Sequence, residues 1–95
     1  MSAIKYKSAT LRDFTERQFG RFVDCSWGPS EQRADGIAQF GAVVWARGDH
    51  FNTHSFMFFE PADGGPVKID FFYGHYDQTL TGAMESLSAK MGGAA

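Results

Sequence analysis

Between residues 37 and 73 the chain repeats one pattern: a β-rich stretch, a turn signal, then another β-rich stretch. Ile37 to Arg47 carries Phe40, Val43, Val44 and Trp45, and a turn at Gly48-Asp49 follows. Thr53 to Glu60 contains the apolar run Phe56 to Phe59 and leads into Pro61-Ala62-Asp63-Gly64-Gly65-Pro66. That hexapeptide is the strongest turn signal in the chain, because Pro and Gly supply backbone angles that strands do not use. Val67 to Tyr73 then sets Val67, Ile69, Phe71 and Tyr73 at period two, the spacing of one strand face. Connections this short join antiparallel neighbours, since a parallel crossover needs a dozen residues or more. The centre of the fold is therefore predicted to be an antiparallel meander.

Helical spacing flanks the meander. Leu11, Phe14, Phe19, Phe22, Val23 and Cys25 fall within half of a helical wheel, opposite Asp13, Arg17, Arg21 and Asp24. Thr10-x-x-Asp13 reads as the start of this helix. The helix is predicted to end near Trp27-Gly28-Pro29, with the alternative that Gly20 splits it. Pro29 to Gly36 is polar and reads as a loop, and the alternation of Ile4 and Tyr6 suggests a short initial strand. A second helix is predicted from Asp77 or Thr79, with Leu80, Met84, Leu87 and Met91 on one stripe and Gly92 closing it. The tail from Gly92 to Ala95 is expected to fray.

These pieces give one α+β domain over residues 1–95 in the order β-α-β-β-β-α. The economical arrangement is a two-layer sandwich, an antiparallel sheet of three or four strands with both helices on one face. Ala38, Phe40, Ala42, Val44 and Ala46 form a small-residue face suited to close helix packing. Phe22 and Leu87 are expected in the core between helices and sheet. The other sheet face would then expose Val43, Trp45 and Phe72 beside Arg47 and Lys68. An aromatic patch of that size on a monomer marks an interface, unless loops, the amino-terminal strand or a bulge cover it. Those five residues are the predicted binding residues.

Residues that could carry chemistry do not assemble into a known set. His50-x-x-x-His54 with His75 approaches a three-histidine zinc site, but no Cys-x-x-Cys supports it and no second shell is evident. No metal and no cofactor is expected. Cys25 lies on the apolar helical stripe, where a thiol is inert. Glu60 and Asp70 are the one candidate carboxylate pair, and strand carboxylates of that kind face water. No Gly-x-Ser-x-Gly elbow exists, and the Gly64-Gly65 turn leads into a strand rather than a phosphate-binding helix. No catalytic residue is named, and the chain is read as a non-enzyme. Arg47-Gly48-Asp49 matches the tripeptide of integrin ligands and is read as a tight turn, with Gly at positive φ.

Charge narrows the partners. The formal net charge is −2, which argues against a dedicated nucleic-acid or anionic-membrane binder. Residues 1–27 carry five basic and three acidic side chains, whereas residues 28–95 carry four basic and eight acidic, so a basic patch is confined to the start. No apolar run approaches the ~20 residues of a membrane-spanning helix. Met1 to Lys7 is too short and polar for a signal peptide. The single cysteine permits no internal disulfide, so a cytoplasmic protein of a microbe or its virus is expected.

The predicted α-β-β-β-α core resembles the double-stranded RNA-binding domain in element order. That family grips phosphates with a Lys-rich start of its last helix, whereas His75-Tyr76-Asp77-Gln78-Thr79 here has neither Lys nor Arg. The full order and length also resemble the ribosome hibernation-promoting factors, through the small and apolar spacing of Tyr76 to Met91. Those factors are basic where they face RNA, and after Arg33 this chain has only Arg47, Lys68 and Lys90. The leading expectation is a protein-binding module that pairs with itself as a homodimer through the open aromatic face. Its rivals are a phage-encoded inhibitor of a host complex and an RNA- or ribosome-binding domain of the kinds just named.

Overall fold

The structure, a computed structural model, describes residues 3–92, with side chains described over 6–76, 78–85 and 87. Its elements are α1 (Ala3–Gln18), β1 (Arg21–Arg33), β2 (Gly36–Arg47), β3 (His50–Pro61), β4 (Lys68–Gln78) and α2 (Leu80–Gly92). The strands form one antiparallel sheet in the order β1-β2-β3-β4. The fold is α+β, with an open four-stranded meander and two helices. The turns fall where the sequence places them: Gly48 takes φ 60 between β2 and β3, and Gly64 takes φ 79 before β4. Asp63 Oδ1 accepts the Gly65 amide at 2.8 Å and closes the second turn.

The amino-terminal third differs from the expectation. Ile4 to Tyr6 lies in α1 rather than in a strand. Three alternating residues are too few to hold a strand register, whereas Leu11 and Thr15, one helical turn apart, are both fully buried. Thr10 Oγ1 donates back to the Tyr6 carbonyl instead of capping forward. The helix ends at Gln18 because Gly20 abuts β2, where a Cβ would stand 2.5 Å from the Ala46 carbonyl oxygen. Phe22, Cys25 and Trp27 accordingly belong to β1, and so does most of the predicted polar loop. Pro29 to Arg33 is polar because it is an exposed edge, and Pro29 sits in a register shift between Trp27 and Ser30 that needs no amide donor.

The helices lie on opposite faces of the sheet. Leu11 of α1 packs with Val43, Phe56 and Phe58, and Trp27, Ile69 and Phe71 lean on that cluster. Ala83 and Leu87 of α2 pack on Ala42 and Val44, with Val23, Phe51 and Met84 around them. Val43 and Val44 are neighbours in β2, so their side chains point to opposite faces, and both are fully buried. The two-layer arrangement is thus replaced by helix, sheet, helix. The strands are apolar on both faces because each face has its own helix, not because one face is bare. The small-residue face of β2 does receive a helix, as its composition requires.

Two details tie the helices down. Lys7 Nζ lies 2.8 Å from Gln39 Oε1, 3.2 Å from Glu60 Oε1 and 5.6 Å from the centre of the Phe58 ring. Thr79 Oγ1 accepts the Gly82 amide at 3.0 Å, an N-cap that starts α2. The apolar stripe of α2 is rotated from the expected one: Ala83 and Leu87 are buried, while Leu80 is 48% exposed. Met91's side chain and the tail beyond Gly92 lie outside the described residues. Leu87 is a core residue as expected, and Phe22 is half-buried against the Leu11 cluster, with the Arg12 guanidinium 5.7 Å from its ring centre.

Among the described residues, Leu11 is the large aliphatic side chain through which α1 enters its cluster. Leu11→Ala should therefore cost about 2–5 kcal/mol, a large share of the ~5–15 kcal/mol of a small domain. Chemical denaturation checks it. A loss below about 1 kcal/mol would mean that α1 is not anchored through Leu11.

Candidate functional site

The most irregular backbone in the sheet lies in the second half of β4. Phe72 pairs with Ser55 and His75 with Thr53, so Tyr73 and Gly74 together face His54. His75 pairs with Thr53 and Gln78 with Phe51, so two further β4 residues face Asn52. These are successive bulges in one strand, each inserting one residue. Tyr73 takes a positive φ of 53°, alone among the described non-glycine residues. Each inserted residue reverses the alternation of side chains. Without the first bulge Tyr76 would share a face with Phe72. With it, Tyr76 crosses to the face of α1 and meets His54.

His54 is 4% exposed and held on several sides. Trp45 Nε1 donates to its Nδ1 at 3.0 Å. An indole nitrogen only donates, so Nδ1 is the acceptor and the hydrogen-bond network assigns the proton of the neutral ring to Nε2. Nε2 then donates to Tyr76 Oη at 2.9 Å. Phe19, projecting from the end of α1, stacks on His54 at 4.6 Å and on Trp45 at 5.0 Å, and meets Phe71 edge to face at 5.0 Å. Gly74 makes room for this packing. A Cβ there would stand 2.5 Å from Tyr76 Oη and 2.7 Å from His54 Nε2.

Beside this cluster opens a cavity of about 280 Å³, lined by Trp45, Arg47, His50, Asn52 and Tyr76. Its size is just below the ~300–1,000 Å³ of small-molecule sites and suits one inserted side chain. Arg47, exposed at the end of β2, donates through its guanidinium to the Phe19 carbonyl. Tyr76, which lines the cavity, is 58% exposed, and Tyr73, in the first bulge of β4 with its ring edge to face on Phe72 at 5.1 Å, is 75% exposed.

The predicted binding residues do not share a face. Val43 is in the core and Trp45, 6% exposed, lies beneath Phe19. Arg47 joins Trp45 at the cavity. Phe72 and Lys68 are on the α2 side of β4, because they pair with Ser55 and Phe59 and not with the Val43 face. Parity alone leaves open which face of β4 matches which face of β2, and the register decides it. The histidines separate in the same way. His54 points to the α1 side, whereas His75, beside Thr53, points to the α2 side. Among the described residues no group of three or more His, Cys, Asp or Glu side chains could hold a metal. Glu60 bonds to Lys7, while exposed Asp70, paired with Met57, lies on the opposite face, so the two carboxylates do not meet.

Cys25 packs against the Leu11 cluster. Burial pushes its thiol up, the Asp24 carboxylate pushes the same way, and a Ser8 hydrogen bond opposes them. The thiolate is therefore scarce at neutral pH, which makes this a poor nucleophile. No helix among the described residues is long and apolar enough to cross a membrane. Comparison with protein-family models, characterised proteins and solved structures finds no match to this chain.

His54, Gly74 and Tyr76 escape a reading based on alternation, though one signal was present. An isolated glycine inside a strand pattern, as in Phe72-Tyr73-Gly74-His75, marks a bulge. The close approach at Gly74 gives a direct test. Gly74→Ala should displace Tyr76 from His54, lower stability by about 1–3 kcal/mol and change the emission of nearby Trp45. Equal stability and unchanged fluorescence would contradict the packing described.

Proposed function

We propose that this protein is a non-enzymatic protein-binding module and that it binds through the outer flank of β4. Tyr73 carries the reading. A left-handed backbone costs a bulky residue about 1 kcal/mol or more, and glycine or asparagine would occupy it with less strain. Tyr73 bears that cost with its ring edge to face on Phe72 at 5.1 Å and three-quarters of the residue still in water. An exposed ring held in this geometry is a ready contact for a protein partner, which would bury it.

The surroundings support this. Tyr76, three residues after Tyr73, and Leu80 at the start of α2 expose 58% and 48% of their surfaces. Tyrosine is enriched in protein interfaces because one rigid ring offers both apolar area and a hydroxyl. The adjoining cavity is sized for a side chain and has Arg47 at its edge, which favours an apolar or acidic residue of the partner. The bonds at His54 join it to Trp45 and Tyr76, so they brace this surface rather than arm a nucleophile.

Tyr73→Asn separates binding from folding, since asparagine tolerates the left-handed region. The variant should melt at the parent temperature or a few degrees above it. It should also lose the proteins, or the untagged second copy, that the immobilised parent retains. Retention of the same proteins by parent and variant would contradict the reading.

A further inference from the structure

We propose that the partner on the β4 flank is a second copy of this chain, joined edge to edge through residues 67–71 in an antiparallel two-fold seam. This deepens the protein-binding reading and rests on it. β4 is an outer strand, so among the described residues one side of its backbone has no neighbouring strand. The other edge, β1, is blunted by Pro29 and by two register shifts. In the first half of β4, Lys68, Ile69, Asp70 and Phe71 pair in unbroken register with β3, with no proline or bulge among them. Ile69, Phe71 and Phe72 are only half-buried there, as at a cut edge of a core.

The register follows from charge. A two-fold axis perpendicular to the sheet keeps each face on its own side, so residues facing each other across the seam must share a parity. An axis at Lys68 sets Lys68 against Lys68 of the other copy, and an axis at Asp70 sets Asp70 against Asp70. An axis at Ile69 sets Lys68 against Asp70 twice, Ile69 against itself and Val67 against Phe71 twice. Like charges directly opposite destabilise a strand pair and opposite charges stabilise it, so the Ile69 axis is selected. Both charged residues are exposed, and neither has an ion-pair partner among the described residues. Their mutual pairing is isologous, as a two-fold interface requires.

This register also accounts for Tyr73. It brings the tyrosine ring of one copy over the Gly65-Pro66 turn of the other, where Pro66 is exposed and Gly65 has no side chain. Aromatic cover of an edge glycine is a known way to stabilise strand pairing. The Ile69 and Phe71 side chains of both copies then close over one another on the α1 side, and the two four-stranded sheets become one.

Sedimentation equilibrium on the parent and two charge variants tests the seam. The parent should be a dimer with micromolar dissociation. Asp70→Lys should weaken it about tenfold or more, and the double variant Lys68→Asp, Asp70→Lys should restore it. Both sites are exposed, and circular dichroism should confirm equal folding. A monomeric parent would overturn self-pairing, while loss of other captured proteins by Tyr73→Asn would still support the protein-binding reading. A dimer that ignores both variants would place the contact elsewhere and overturn the seam. A dimer weakened by Asp70→Lys but not restored by the double variant would overturn the register.

Discussion

Val43 and Val44 stand next to each other in β2, point to opposite sides of the sheet, and are both fully buried. The rest of the structure depends on this two-sided burial. A chain of this size has few apolar residues to distribute, and it concentrates them on β2 and β3, which are covered above and below. Ala38, Ala42, Val44 and Ala46 keep one face shallow enough for α2 to lie close, whereas Val43, Phe56 and Phe58 give the other face large groups for Leu11. The outer strands are left half-finished. β1 breaks its edge with Pro29 and two register shifts, whereas the first half of β4 keeps an unbroken register.

The central strands were legible in the sequence because their signals are local. Gly48-Asp49 and the Pro61 to Pro66 hexapeptide fix the turns through backbone angles that only certain residues adopt, and the period-two spacing between them needs no tertiary information. The amino-terminal third was less legible for the same reason. Phe19, Phe22, Val23 and Cys25 fit a helical wheel and a strand equally well, and contact of Gly20 with the Ala46 carbonyl decides between them. The layering was not legible at all. A strand apolar on both faces looks the same whether its second face meets a helix or a partner.

The candidate site shows where alternation stops being a guide. One inserted residue at Tyr73-Gly74 in β4 turns Tyr76 toward His54, and Gly74 lets the hydroxyl approach the ring. Trp45 was legible as an important aromatic, but its role is inverted: its indole holds His54 from within instead of presenting a surface. Arg47 kept an exposed position because it ends its strand, and Lys68 kept its own, with Phe72 half-buried, because they belong to the outer strand. Side chains in the middle of β2 had no such option.

The account turns on the open half of β4 being covered by protein in solution. Amide hydrogen exchange measured at low and high concentrations of the parent protein reads that edge residue by residue. The account predicts that amides of residues 67–73 become protected as concentration rises through the micromolar range, while β1 amides at Ser30 to Arg33 do not change. Exchange along β4 that is independent of concentration would contradict it.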